Sequence, residues 1–205
     1  MVTMTKEKLD SMTPDQAFQM LMEGNKRFEK NEAISRDYVA QREETSTGQY
    51  PFATILSCID SRTSSEIIFD QGIGDLFNVR LAGNVINEDA LGSMEFACKV
   101  AGSKVIMILG HEACGAVKGA CDHVEMGNLT SLLSKITPAV DLEKEETTRD
   151  SSNPEFVRKV TEIHTKRMRE ELLERSPILK EMDDNNEIKI VCGIHDLKSG
   201  VVRII

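Results

Sequence analysis

The chain has 205 residues, 40% hydrophobic and 29% charged, the balance of one soluble globular domain. Its formal net charge of -9 makes nucleic acid and anionic membrane poor partners. Five cysteines (Cys58, Cys98, Cys114, Cys121 and Cys192) and a polar stretch from Met1 to Asp10 predict reduced thiols, no secretory leader and a cytoplasmic protein.

In chain order, Thr13-Pro14-Asp15-Gln16 predicts a helix start, with Thr13 as cap, Pro14 at the first position and Gln16 completing a capping box. Ala17, Leu21, Gly24 and Phe28 then share a face. Glu32 to Gly48 is polar and predicts a surface run, so 1–48 reads as an amino-terminal helical arm on a single domain spanning 1–205. Phe52 to Ser57 predicts a first buried strand, Ser64 to Phe69 a short helix and Asp75 to Leu81 a second strand. A helix follows over Glu88 to Ala101, stopped by Gly102, and a third strand over Lys104 to Leu109, apolar on both faces. Cys114 to His123, Leu129 to Val140 and Glu155 to Arg175 read as helices, with a further helix start at Ser176-Pro177. Within the charged helix, His164 reads as solvated. Strands close the chain at Ile188 to Ile194 and Val201 to Ile205. The alternation predicts an α/β fold, a mostly parallel sheet flanked by helices, with ligands gathering at the carboxyl ends of its strands.

Two strand ends carry chemistry. The first is Cys58-Ile59-Asp60-Ser61-Arg62 and the second is His111-Glu112-Ala113-Cys114-Gly115. Cys58, His111 and Cys114 offer two thiolates and an imidazole, a ligand set for zinc with one position open. Asp60 is the candidate fourth ligand, and Arg62 could hold it instead through a bidentate pair. Singly, each residue has a plainer reading: Cys58 as a buried thiol, His111 as a satisfied polar residue, Asp60 with Arg62 as a surface ion pair. Cys98, Cys121 and Cys192 read as core thiols.

Taken together, these two motifs, with Arg80-Leu81-Ala82-Gly83-Asn84 between them, resemble the β-class carbonic anhydrases over nearly the whole chain. The resemblance implies a parallel sheet with helices on both sides, and Cys58, His111 and Cys114 as zinc ligands. It implies that Asp60 either binds the zinc or pairs with Arg62. Gln49 matches the substrate-orienting glutamine of the plant-like branch, Gly115 a backbone donor, and Phe77 and Ala82 pocket-lining positions. The branch with a bicarbonate-regulated site uses a tryptophan, and this chain has none. The implied activity is a zinc-dependent carbonate dehydratase interconverting carbon dioxide and bicarbonate, working as a homodimer or dimer of dimers. Hydrolysis of carbonyl sulfide or carbon disulfide on the same fold is the neighbouring reading, and a non-catalytic zinc or bicarbonate binder the other. The chain departs from the family pattern at Leu81, at Glu112-Ala113, and at His195, where a tyrosine commonly precedes Asp196.

Overall fold

The computed structural model describes residues 3–205; Met1 and Val2, the first two residues of the expected arm, lie outside the described residues. Five strands form the central sheet: β1 (Ala53–Ser57), β2 (Leu76–Arg80), β3 (Val105–His111), β4 (Lys189–His195) and β5 (Val202–Ile204). Their spatial order is β2-β1-β3-β4-β5. The first four run parallel, and β5 returns antiparallel on β4. β1 and β3 are buried along their whole length, as central parallel strands covered on both faces must be.

Alternate strand residues face two separate apolar layers. On one side Leu56, Ile106 and Ile108 pack with Met168, Leu172, Leu179 and Met182. These last four come from α9 (Pro154–Arg175) and α10 (Pro177–Asp184). On the other side Ile55, Val105, Met107 and Leu109 pack with Leu9, Ala17, Leu21, Ile68 and Phe69. Leu9 belongs to α1 (Lys6–Ser11), Ala17 and Leu21 to α2 (Pro14–Glu29), and Ile68 to α4 (Ser65–Ile68). The expected capping box forms: Thr13 Oγ1 accepts from the Gln16 amide at 3.2 Å, and Gln16 Oε1 accepts from the Thr13 amide at 2.9 Å.

Several elements differ from expectation. The polar run from Glu32 to Gly48 contains α3 (Tyr38–Thr45), capped by Asp37. Its Gln41 is buried and accepts from the Ile73 amide at 3.2 Å, a long-range contact invisible to local pattern. The helix expected over Glu88 to Ala101 is α5 (Glu88–Glu95) running into a π-helical turn, Phe96–Val100. α6 spans Gly115–Cys121. The helix expected over Leu129 to Val140 is two, α7 (Gly127–Leu133) and α8 (Thr137–Leu142), because Pro138 suits only a first turn.

The reading of His164 as solvated is corrected: it is fully buried. Val157, Val160, Thr161, His164, Thr165, Met168 and Leu172 form the inner stripe of α9, and the charged residues between them mask the helical spacing. That stripe lies close on the sheet. A Cβ added at Gly110 of β3 would lie 2.4 Å from Thr165 Oγ1, so only glycine permits the approach.

Candidate metal centre

β1 and β3 are neighbours and parallel, so both release the chain at the same edge of the sheet. Cys58 follows β1 directly, and His111 is the last residue of β3. The chain then turns back through Ala113, whose left-handed φ of 52° lets Cys114 return toward the same point before α6 begins. The Cys58 and Cys114 sulfurs and a His111 ring nitrogen lie within 4.8 Å of one another, and all three residues are buried.

The protonation pattern suits a metal. His111 Nδ1 lies 2.9 Å from the Glu112 carbonyl. A carbonyl only accepts, so Nδ1 carries the proton and Nε2 keeps its lone pair. That Nε2 is buried and has no hydrogen-bond partner. The two sulfurs are 4.0 Å apart, within reach of a hydrogen bond that either could donate. Hydrogen bonding from Cys114 brings Cys58 down to about 4, whereas the adjacent Cys58 sulfur and burial push Cys114 up. Two cysteine sulfurs able to bind as thiolates and one unpartnered imidazole nitrogen, converging where all three residues are buried, fit a zinc-type ion. Cys98, Cys121 and Cys192 are buried outside this group, with burial pushing their thiols up to about 12, 11 and 11.

Of the two roles expected for Asp60, the structure has the pairing with Arg62. Arg62 Nε donates to Oδ1 at 2.9 Å, Nη2 to Oδ2 at 2.7 Å, and the Arg62 amide to Oδ1 at 3.0 Å. These bonds hold the carboxyl well below the usual carboxylate range. Asp60 is accordingly not one of the converging metal donors.

Residues beyond the expected set hold this loop. Arg80, at the end of β2, donates from Nε to the Cys58 carbonyl at 3.0 Å and from Nη2 to the Asp60 carbonyl at 2.7 Å. Thr63 Oγ1 donates to the Asp60 carbonyl at 2.8 Å. The Gly83 amide donates to Cys58 Sγ at 3.3 Å, and His164 Nε2 donates to the Gly83 carbonyl at 2.7 Å. The Arg-Leu-Ala-Gly-Asn segment was the sequence signal for Arg80 and Gly83, and the spacing of α9 was the one for His164. His195 pairs in register with His111 and is buried with neither ring nitrogen bonded. Burial, reinforced by His111, pushes it down to about 4.

The remaining expected site residues divide. Ala82 stands next to Gly83, and Gly115 opens α6 next to Cys114 with open space where a side chain would be. Gln49 and Phe77 are elsewhere. Gln49 precedes β1 while Cys58 follows it, so a strand of about 16 Å separates them. Phe77, opposite Thr54 on the outer strand β2, meets Phe96 edge-on at 6.4 Å. Within one chain, neither is brought to the metal donors.

A family model described as carbonic anhydrase matches residues 53–202. Carbonic anhydrase 2 of Mycobacterium tuberculosis H37Rv is 39% identical over 138 residues, which cover 64% of this chain and 67% of that protein. The carbonic anhydrase of Mycolicibacterium smegmatis is 36% identical over the same shares. Among solved structures, a β-carbonic anhydrase of Aspergillus fumigatus superposes with a TM-score of 0.72 at 24% identity, covering 92% of this chain and 90% of its own. That of Coccomyxa superposes at 0.70 with 19% identity, covering 90% and 84%. Fold, converging Cys-His-Cys donors and sequence similarity agree: the chain belongs to the carbonic anhydrase family, in its β class.

Proposed function

We propose that this carbonic anhydrase holds zinc through Cys58 Sγ, His111 Nε2 and Cys114 Sγ, and converts carbon dioxide and water to bicarbonate and a proton, reversibly. The observation that carries the reading is the convergence of those three donors beside a carboxylate already engaged by Arg62. Zinc supplies acidity to a water molecule, so that a nucleophile exists near neutral pH.

The protein's own groups do the rest. Asp60, kept ionised by Arg62, accepts a hydrogen bond from the attacking water and orients it toward the carbon of carbon dioxide. Arg80 and Thr63 fix the backbone of the loop that carries Asp60, and Arg62 alone holds its carboxylate. The Gly115 amide, one of the unpaired donors of a first helical turn, donates to a substrate oxygen. Ala82 lines the approach. The proton released passes to solvent buffer.

Gln49, the residue expected from the plant-like branch, serves this site from a second copy of the chain. Support comes from its distance from its own Cys58 and from the apolar surface around β2. Ile59, Ile67 and Phe96 are 61%, 62% and 54% exposed there, next to the outer edge of the sheet. A symmetric dimer covering that surface would bury it and bring Gln49 and Phe77 of one copy toward the other's metal donors. β-Carbonic anhydrases of Sordaria macrospora with this fold are tetrameric. We read 1–205 as one domain with a helical arm over 1–48, and the five free, buried cysteines fit the reducing cytoplasm.

Stopped-flow measurement of carbon dioxide hydration on metal-analysed protein tests the reading. Zinc near one per chain with hydration activity is the expected result. Fully loaded protein without hydration activity would overturn it.

A further inference from the structure

The Ala82–Asn84 turn reaches the metal donors through one hydrogen bond, from the Gly83 amide to Cys58 Sγ at 3.3 Å. Gly83 is the residue best able to lose that alignment, because glycine torsions are the freest in a chain. Its φ of 64° and its packing both require glycine: a Cβ would lie 2.7 Å from Ile136 Cδ1 and 3.1 Å from Ala116 Cβ. The turn is anchored on its amide side by the Leu81 amide bonding the Ser57 carbonyl at 3.1 Å, and is closed by the Asn84 amide on the Leu81 carbonyl at 2.8 Å. On the carbonyl side of Gly83 the anchor is His164 Nε2, at 2.7 Å.

His164 suits that task. Nε2 must carry the proton, since the Gly83 carbonyl only accepts. Burial pushes the ring down to about 4, so it is neutral with a single proton at ordinary pH. Among the described residues Nδ1 has no partner, and the bond to Gly83 is the hydrogen bond the ring makes. The ring sits on α9, which is pinned to the sheet by Met168 and Leu172 and by the close approach of Thr165 to Gly110. The hydrogen bonding of the ring is thus directed at the Gly83 carbonyl through Nε2.

We propose that His164 is a positioning residue for the metal centre: it fixes the Gly83 backbone so that the Gly83 amide stays bonded to the Cys58 sulfur. A hydrogen bond to a thiolate withdraws charge from it, so this bond sets how much charge Cys58 gives the metal. The inference rests on Cys58 being a metal ligand.

The test uses cobalt-substituted protein with wild-type His164, His164→Gln and His164→Leu. Glutamine can present an amide donor at a similar reach; leucine fills space without a donor. In His164→Leu the thiolate-to-cobalt charge-transfer band moves to longer wavelength, and zinc affinity falls roughly 10- to 100-fold, the usual effect of losing a partner that orients a ligand. His164→Gln restores both. A folded His164→Leu with an unshifted band, or a His164→Gln no closer to wild type than His164→Leu, overturns the proposal. Should the leucine variant not fold, wild-type protein loaded with cadmium-113 decides: a coupling between the metal nucleus and the Gly83 amide proton is expected, and its absence overturns the proposal. A wild-type cobalt protein with no thiolate band at all would instead overturn the assignment of Cys58 as a ligand.

Discussion

Arg62 grips both carboxylate oxygens of Asp60, at 2.9 and 2.7 Å, and its own backbone amide adds a third bond. The carboxylate is thereby drawn aside from the three metal donors. Arg62 itself is half-exposed, so the pair owes its worth to geometry rather than to a buried Coulomb term. A planar guanidinium matches a carboxylate in a way an ammonium does not. Arg62→Ala should keep its zinc and lose hydration activity by roughly 100-fold or more, the scale on which a positioned acid–base group acts. Arg62→Lys should recover little. Cobalt spectra distinguish the cause: Arg62→Ala should resist added anion because Asp60 turns to the metal, while Asp60→Ala should respond to anion. Equal anion responses would sink the gate.

Replacement of any one of Cys58, His111 and Cys114 by alanine should abolish bound zinc and hydration together, because three donors are the minimum for a catalytic site of this kind. Metal analysis after dialysis reads the result. Cys114→Ala protein that retains full zinc would contradict the ligand set.

The proposed dimer, with Gln49 serving the other subunit's site, predicts complementation. Gln49→Ala and Cys114→Ala homodimers should each be nearly inactive. Co-refolded one to one, they should regain about one quarter of wild-type activity, since half the dimers are mixed and each carries one complete site. A mixture no more active than its components would place Gln49 in the service of its own chain or of no site.

His164 links stability to pH. Its pKa falls from 6.5 to about 4 on folding, mainly through burial. Between those values the unfolded chain binds more protons than the folded one, so stability rises with pH and is lost as pH falls from 6.5 towards 4. The loss amounts to roughly 3 kcal/mol by the usual conversion. Denaturant unfolding from pH 7 to 4.5 should show wild type losing more stability than His164→Gln, which has nothing to titrate at that position. Parallel pH dependences would refute the burial argument.

Gly110→Ala should destabilise by about 1–3 kcal/mol, as overpacking does. The added Cβ would meet Thr165 Oγ1 at 2.4 Å and Ile194 Cδ1 at 2.8 Å. Thr165→Ala removes the nearer obstacle, so the double variant should be more stable than the sum of the two single losses allows. Strict additivity in thermal or denaturant unfolding would argue against the contact.

Local chemistry alone determined much of this protein. The capping box at Thr13 and Gln16, the apolar runs of β1 and β3, and reactive residues at their carboxyl ends are written in consecutive residues. The resemblance to the β-class carbonic anhydrases joined Cys58, His111 and Cys114 into one group before any coordinate, and the sheet order then set the ends of β1 and β3 side by side. Tertiary structure decided what depends on distance across the fold. Which partner Asp60 takes is a competition between two nearby groups, and sequence names both without ranking them. The far end of β1 separates Gln49 from Cys58, although the two are close in sequence, because an extended strand converts few residues into a long distance. His164 lies among charged neighbours, yet its helix turns it inward with the rest of its buried stripe, against a glycine carbonyl far away in the chain. Burial follows from the packing of whole elements, and no local pattern of charge reports it.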